Sequence, residues 1–337
     1  MTDVVTIIAE AGVNHNGDVN LAIDLVDAAA AAGADFVKFQ TFDPESLAAP
    51  GTRKAEYQIA TTGGQESQLE MLRKLVLSDA DHRRLYDHCS ERHIGFLATP
   101  FDHRSADMLA DVGMETFKIS SGDLTNIPLL EHVARLGRPM IVSTGMGDMG
   151  EVGIAMDAMR AAGAQTITLL HCVTEYPADP KDVNLRAMAT MSAAFAVPVG
   201  YSDHTTGIAV SIGAVALGAR VIEKHITLDR TLPGPDQAAS LEPLEFEALV
   251  AGIRMTEQSL GDGKKTPSAA ELRNRVAARR SVVAIRDIPV GSVLMREDLA
   301  IMRPGTGLPP ADLERVIGAR TRQEIPGGTV LSADMFE

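Results

Sequence analysis

The chain has 337 residues, 45% hydrophobic and 23% charged, the composition of an ordinary folded protein and enough length for one large domain plus a small one. Its 45 acidic and 31 basic residues leave a formal charge of −14, which excludes nucleic acid and anionic membrane as broad partners, so an anionic ligand would need local lysines or arginines. Two cysteines, Cys89 and Cys172, exclude a disulfide scaffold, and with neither a membrane-length apolar run nor a leader-like start the expected location is cytoplasmic.

In chain order, short β-branched runs alternate with alanine-rich helical segments. The strand candidates are VVTIIAE, DFVKFQTF, IGFLATPF, METFKIS, PMIVSTG, TITLLHCV, VPVGYSD and RVIEKHITL. Between them lie helix-like stretches such as VNLAIDLVDAAAAAGA and HRSADMLADVG, several ending in glycine as helices do before a following strand. Alternation of this kind predicts right-handed βαβ units, and eight of them predict an α/β fold, a (β/α)₈ TIM barrel, over residues 1–262. A doubly wound open sheet is the structural alternative, but no G-x-G-x-x-G turn follows the first strand. The long stretch ESLAAPGTRKAEYQIATTGGQESQLEMLRKLVLS after the second strand is expected to form a wall or lid. Beyond the barrel, residues 263–280 form a polar, basic linker. Residues 281–337, with β-like runs broken by Pro-Gly turns, predict a small β-rich domain that leans on the barrel or on another subunit.

In a barrel of this type, reactive groups gather at the carboxyl ends of the strands. Glu10 ends the first run, Lys38 and Gln40 the second, Lys118 and Ser121 the fourth, and Ser143 the fifth. His171 and Thr174 follow in the sixth, Ser202 and His204 in the seventh, and Glu223 and His225 in the eighth. Polar groups at nearly every strand end imply one polar pocket.

His204 and His225 occupy equivalent ends of neighbouring strands, close enough to share a ligand. Two imidazoles with water suit Mn, Fe, Co or Zn, and Glu10 could complete the set; the alternative is a network of satisfied polar side chains. Glu223 shares the inward face of its strand with His225, where a carboxylate can orient a ligand or move a proton. Lys38 and Lys118, both inward in phase, call either for a bound phosphate or carboxylate or for partners such as Glu10 and Glu223. Hydroxyls of Ser121, Ser143 and Ser202 would add donors around an anion. Asp236, on the proline-bounded loop LPGPDQAASLEP, either caps a turn or holds sugar hydroxyls.

The stretches AEAGVNHNGD, VKFQTF, FKISSGDLTN, STGM, LLHCVTEYPA, GYSDHT, EKHITLDRTLPGPDQAASLEP and MRPGTG together resemble the sialic acid synthase family, the phosphoenolpyruvate-dependent nonulosonate synthases, along essentially the whole chain. The resemblance implies a barrel followed by a SAF (antifreeze-like) domain, in a domain-swapped homodimer. It implies that His204 and His225 hold a divalent metal, usually Mn²⁺, with Mg²⁺ or Co²⁺ as alternatives. By the same resemblance Lys38, Lys118, Ser121, Ser143 and Ser202 hold phosphoenolpyruvate, with Thr174 at a substrate-binding position near it, while Gln40, Asp123, Tyr176 and Asp236 surround an N-acetylated hexosamine. Glu10 and Glu223 are then the carboxylates near the metal, Lys118 contributes to catalysis, and Arg303 of the partner's SAF domain meets the N-acyl group.

The implied reaction condenses phosphoenolpyruvate with N-acetylmannosamine or a related sugar, making N-acetylneuraminate. Alternative products are N,N'-diacetyllegionaminate or another nonulosonate, and a more distant alternative is a different phosphoenolpyruvate-condensing sugar-acid synthase. Those distant synthases generally lack a SAF domain, so residues 281–337 weigh against them. Thr174 stands where the better-known N-acetylneuraminate synthases carry asparagine, which leaves the sugar open rather than the reaction. A barrel metal hydrolase would end its first strand in His-x-His, whereas here His15 stands alone.

Overall fold

The eight apolar runs become parallel strands, each overlapping its predicted position: β1 (Thr6–Gly12), β2 (Phe36–Thr41), β3 (Gly95–Pro100), β4 (Phe117–Ile119), β5 (Met140–Ser143), β6 (Ile167–Cys172), β7 (Val199–Asp203) and β8 (Val221–His225). They form one sheet in the order β3-β2-β1-β8-β7-β6-β5-β4. β3 and β4 also lie side by side, so the ring closes there without a hydrogen-bonded ladder. This is the predicted (β/α)₈ barrel. The computed structural model describes residues 4–337, which divide into one unit ending at Gly261 and a second running Asp262–Glu337.

Barrel strands are covered on both faces, which is why their sequences read as almost continuous apolar runs. The covering helices show the complementary period. In Val19–Ala31 the buried residues are Ala22, Leu25, Val26 and Ala29, one stripe at three- and four-residue spacing, and the Asp18 carboxylate caps the first turn by accepting from Asn20 N. Gly200, in mid-β7, has a packing reason: a Cβ there would lie 2.3 Å from the Val221 carbonyl oxygen and 2.7 Å from Leu170 Cδ2.

The stretch after β2 folds into short helices at Pro44–Leu47, Glu56–Thr62 and Gln68–Arg73. Leu69, Met71, Leu72 and Leu75 bury against Val13 and Phe42 in a small core of their own, so this segment is a packed wall. In the second unit β9 (Ser281–Ala284) pairs antiparallel with β10 (Leu299–Met302), and bridges such as Ile288 to Ile325 extend the β-rich arrangement. Val282, Ile288, Leu294, Ile325 and Leu331 form its separate core. The segment expected as a linker contains a helix, Ala269–Ala278, opened by a Ser268/Glu271 capping box and burying none of its residues. Among the described residues no helix is long and apolar enough to cross a membrane.

Candidate active site

Strand register assembles the site. Parallel pairing sets Glu10 opposite Lys38 on one side and opposite His225 on the other, and sets Ser202 opposite Glu223. The two-residue period separates these side chains from their sequence neighbours. Asp203 and Lys224 point to the opposite face and form their own fully buried ion pair at 3.0 Å, braced by a 2.6 Å hydrogen bond from Ser211 Oγ. The inward set lines a cavity of about 330 Å³.

The cavity floor is an alternating charge network. Lys38 Nζ lies 2.8 Å from Glu10 Oε2 and 3.8 Å from Glu223 Oε2, and donates to Thr99 Oγ1 at 3.1 Å. Lys118 Nζ donates to Ser143 Oγ at 2.6 Å and lies 3.7 Å from Glu223 Oε1, which also accepts from Ser202 Oγ at 3.0 Å. Burial and opposite charge compete at each group. Burial raises the Glu10 pKa despite Lys38, whereas at Glu223 the two lysines outweigh burial and lower it. Burial opposes the charge on both lysines; Glu10 and Glu223 outweigh it for Lys38, whose pKa rises, and burial prevails for Lys118, whose pKa falls. Gln40 Nε2 donates to Glu10 Oε1 at 3.4 Å. Ser121 Oγ accepts from Gly145 N at 3.0 Å, and a Cβ on Gly145 would meet Thr174 Oγ1 at 2.3 Å, so only glycine fits between these hydroxyls. Thr174 Oγ1 is buried without a hydrogen-bond partner among the described residues, leaving it available to a ligand.

Above this floor the rings of His204 and His225 stand 5.4 Å apart, and the Tyr176 ring stacks on His204 at 4.0 Å and meets His225 edge-on at 5.5 Å. His204 Nδ1 hydrogen-bonds the Val173 carbonyl at 2.7 Å, with Cys172 Sγ 3.8 Å away, an arrangement that leaves Nε2 for a ligand. Burial, reinforced by His204 and Lys38, pushes the His225 pKa well down, and its buried Nδ1 has no hydrogen-bond partner among the described residues. Burial also opposes charge on His204, but the Cys172 sulphur and Val173 carbonyl outweigh it and raise its pKa, so a cation there competes with a proton. Among the described residues no group of three or more His, Cys, Asp or Glu side chains is placed to hold a metal. A cation shared by the two imidazoles would therefore take its remaining ligands from water or substrate oxygens.

Not every predicted residue converges. His171, expected among the pocket groups from its strand position, turns away to bond the Val183 carbonyl at 2.5 Å. Asp123 is buried with its carboxylate committed to Ser120 Oγ at 2.9 Å and Asn126 Nδ2 at 3.0 Å, which supports the turn after β4. Asp236 is buried; desolvation together with the Glu10 charge lifts its pKa to about 7. Arg303 belongs to the second unit, where its Nε donates to the Ala278 carbonyl at 3.0 Å. Two further residues join the site beyond those expected from the sequence: Thr99, next to the end of β3 and in the same phase as the other inward groups, and Tyr57, whose ring lies 4.8 Å from Tyr176 and which comes from the inserted wall with no barrel periodicity to mark it.

The chain matches the NeuB family over residues 25–265 and the SAF domain over residues 279–337. It is 46% identical over 335 residues to the N,N'-diacetyllegionaminic acid synthase of Legionella pneumophila, covering 98% of this chain and 94% of that protein. Identity to the Campylobacter jejuni protein of the same name is 48% over 314 residues, covering 93% and 94%. The crystal structure of N-acetylneuraminic acid (sialic acid) synthetase from Leptospira borgpetersenii in complex with citrate superposes with a TM-score of 0.72 at 37% identity, over 81% of this chain and 90% of that one. These matches run along nearly the whole chain, and the protein is an enzyme that belongs to the NeuB family and carries a SAF domain at its C-terminal end.

Proposed function

We propose that the protein condenses phosphoenolpyruvate with the open-chain aldehyde of an N-acylated hexosamine, adding water and releasing inorganic phosphate to give a nine-carbon α-keto sugar acid. The observation that carries this reading is the pair of buried lysines, Lys38 and Lys118, facing one carboxylate, Glu223, at the reactive end of the barrel. Cations held at that cost inside an acidic protein are suited to a small polyanion. Lys38 and Lys118, with the hydroxyls of Ser121, Ser143, Thr174 and Ser202, are assigned to its phosphate and carboxylate. Gln40, Tyr176 and Asp236 are assigned to the sugar, and Asp123 to holding Ser120 in place.

His204 and His225 are the residues that would hold a divalent ion, Mn²⁺ in this reading with Mg²⁺ or Co²⁺ as alternatives. When bound, such an ion supplies Lewis acidity toward the aldehyde oxygen. A C–C bond forms from carbon three of phosphoenolpyruvate to the aldehyde carbon, and the aldehyde oxygen takes a proton. Water then adds at carbon two and gives up one proton, after which the bond from carbon two to the phosphate oxygen breaks, the remaining hydroxyl proton leaves with the phosphate, and the ketone remains. Glu223, which accepts from Ser202 and is flanked by both lysines, is assigned to carry the proton between water and the sugar oxygen, with Glu10 paired to Lys38 nearby. Holding two reactants against this frame removes several kcal/mol of the barrier.

For the sugar, we favour a hexosamine with two acetamido groups, because the relatives at 46% and 48% identity are named N,N'-diacetyllegionaminic acid synthases. N-acetylmannosamine, giving N-acetylneuraminate, is the second reading, favoured by the 37% identity to the Leptospira synthetase. The reading also includes a homodimer in which Arg303 of one subunit meets the acyl group held by the other. Purified protein mixed with phosphoenolpyruvate, Mn²⁺ and a panel of N-acylated hexosamines is expected to release phosphate, fastest with the diacetamido sugar. No phosphate from any sugar overturns the condensation, and faster release with N-acetylmannosamine selects the second reading.

A further inference from the structure

The cavity has two chemically distinct halves. Its floor is charged and almost fully buried: Glu10, Lys38, Lys118 and Glu223 expose 5% of their surface or less. The opposite wall comes mainly from the inserted segment and is uncharged and mixed in character, with Leu72 buried and Leu47, Tyr57, Gln58 and Gln68 half-exposed. Leu47 and Leu72 present aliphatic carbon, Tyr57 a phenol, Gln58 and Gln68 amides, and Phe101 closes the edge.

These wall residues are fixed. Leu72 belongs to the small core of the insertion, with Leu47 and Phe101 packed against it. Thr61 Oγ1 donates to the Pro235 carbonyl at 3.3 Å, tying the insertion to the loop that carries Asp236. Gln58 is partly used: its Oε1 accepts from Ala55 N at 3.0 Å and its Nε2 donates to the Tyr57 hydroxyl at 3.3 Å. Gln68 lines the cavity, and its side-chain amide makes no hydrogen bond to another described residue, so its donor and acceptor are both unspent. Three cations of the insertion are already engaged: Lys54 lies 3.4 Å from Glu66, Lys74 pairs with the same carboxylate, and Arg73 lies 2.8 Å from Glu45.

A free amide flanked by leucine side chains complements a group that is itself an amide with a methyl end. It does not complement a phosphate, which needs cations, or a bare hydroxyl, which would leave the aliphatic carbon without a partner. We propose that the insertion wall, through Gln68 with Leu47 and Leu72, is the subsite for a second acylamino group on the sugar, and that it makes the enzyme select diacylated over monoacylated hexosamines. This inference rests on the sugar-binding reading of the cavity and names its specificity determinant.

Binding separates it from the reaction itself. Calorimetric titration of the Mn²⁺-loaded protein with N-acetylmannosamine, its 6-phosphate and a 2,4-diacetamido hexose needs no turnover. The diacylated sugar is expected to bind about tenfold tighter than the monoacylated one, the scale of one well-made amide hydrogen bond plus a buried methyl group. In Gln68→Ala that ratio should fall toward one. Gln68→Glu, which keeps the length but removes the N–H donors, should lower it as well, and unchanged melting temperatures would verify both folds. Equal wild-type affinities, a preference for the 6-phosphate, or a ratio that survives both substitutions overturns the proposal. Phosphate release measured in parallel tests the other reading: no turnover with a preserved tenfold preference removes the condensation and keeps the wall as an acylamino subsite.

Discussion

Replacing Lys38 by methionine tests the charge balance on which the active-site reading depends. Lys38 and Glu10 are 2.8 Å apart with side chains 4% and 3% exposed, and Glu223 lies 3.8 Å away on the other side. At an effective dielectric near 20, the gross attractions are roughly 6 and 4 kcal/mol, much of which is offset by the cost of burying the ammonium. Removing the lysine alone strands two carboxylates in a buried pocket, so Lys38→Met should destabilise the barrel by about 3 kcal/mol or more. Glu10→Gln alone leaves Lys38 with Glu223 and should cost less. The double variant, in which one carboxylate disappears with its cation, should be more stable than the sum of the single effects predicts by about 2 kcal/mol. Urea unfolding of all four proteins gives the coupling directly, while phosphate release should stay abolished in both Lys38 variants because the anion loses its ligand. Additive single effects would refute the reasoning, since Lys38 and Glu10 would then not be acting as a buried pair. Full activity in Lys38→Met would equally remove Lys38 from the phosphoenolpyruvate site.

A pH dependence of stability is expected from His15, which packs near Phe39 with its Nδ1 accepting from Gly17 N at 3.0 Å. Burial, reinforced by His82, lowers its pKa from 6.5 to about 4. The unfolded chain therefore binds a proton that the folded one refuses: this contribution is complete above pH 6.5 and is lost as pH falls toward 4, by about 3 kcal/mol. A His15→Phe variant should show a correspondingly shallower fall in unfolding free energy over that window, and parallel curves would exclude His15 as the cause. The proposed sharing of Arg303 across subunits predicts that mixing an inactive barrel variant, Lys118→Met, with an inactive Arg303→Ala chain restores part of the activity. Verified mixed dimers without activity would count against it.

Strand count and strand order were legible because each barrel strand is a short β-branched run bounded by turn residues, and alternation with alanine-rich helices leaves few topologies. The inward phase of Lys38, Glu223 and His225 was equally legible, since a side chain two residues away along a strand must share its face. His171 shows where that reasoning ends: it lies at a strand end, yet its ring reaches outward to the Val183 carbonyl, and the alternation of β6 gave no warning of that acceptor. Asp123 similarly fell into a local turn network, because carboxylates just after a strand satisfy backbone and hydroxyl donors as readily as they face a ligand.

By itself the sequence determined the period of the elements and the polar identity of the strand ends, both of which depend on neighbours within a few residues. Tertiary structure alone decided that Glu10 sits between Lys38 and His225, because register between strands is set by packing and not by spacing along the chain. It also decided that Tyr57, Gln58 and Gln68 reach the cavity. The insertion has no repeat to betray its direction, and its small core against Val13 and Phe42 is what turns an irregular segment into one wall of the site.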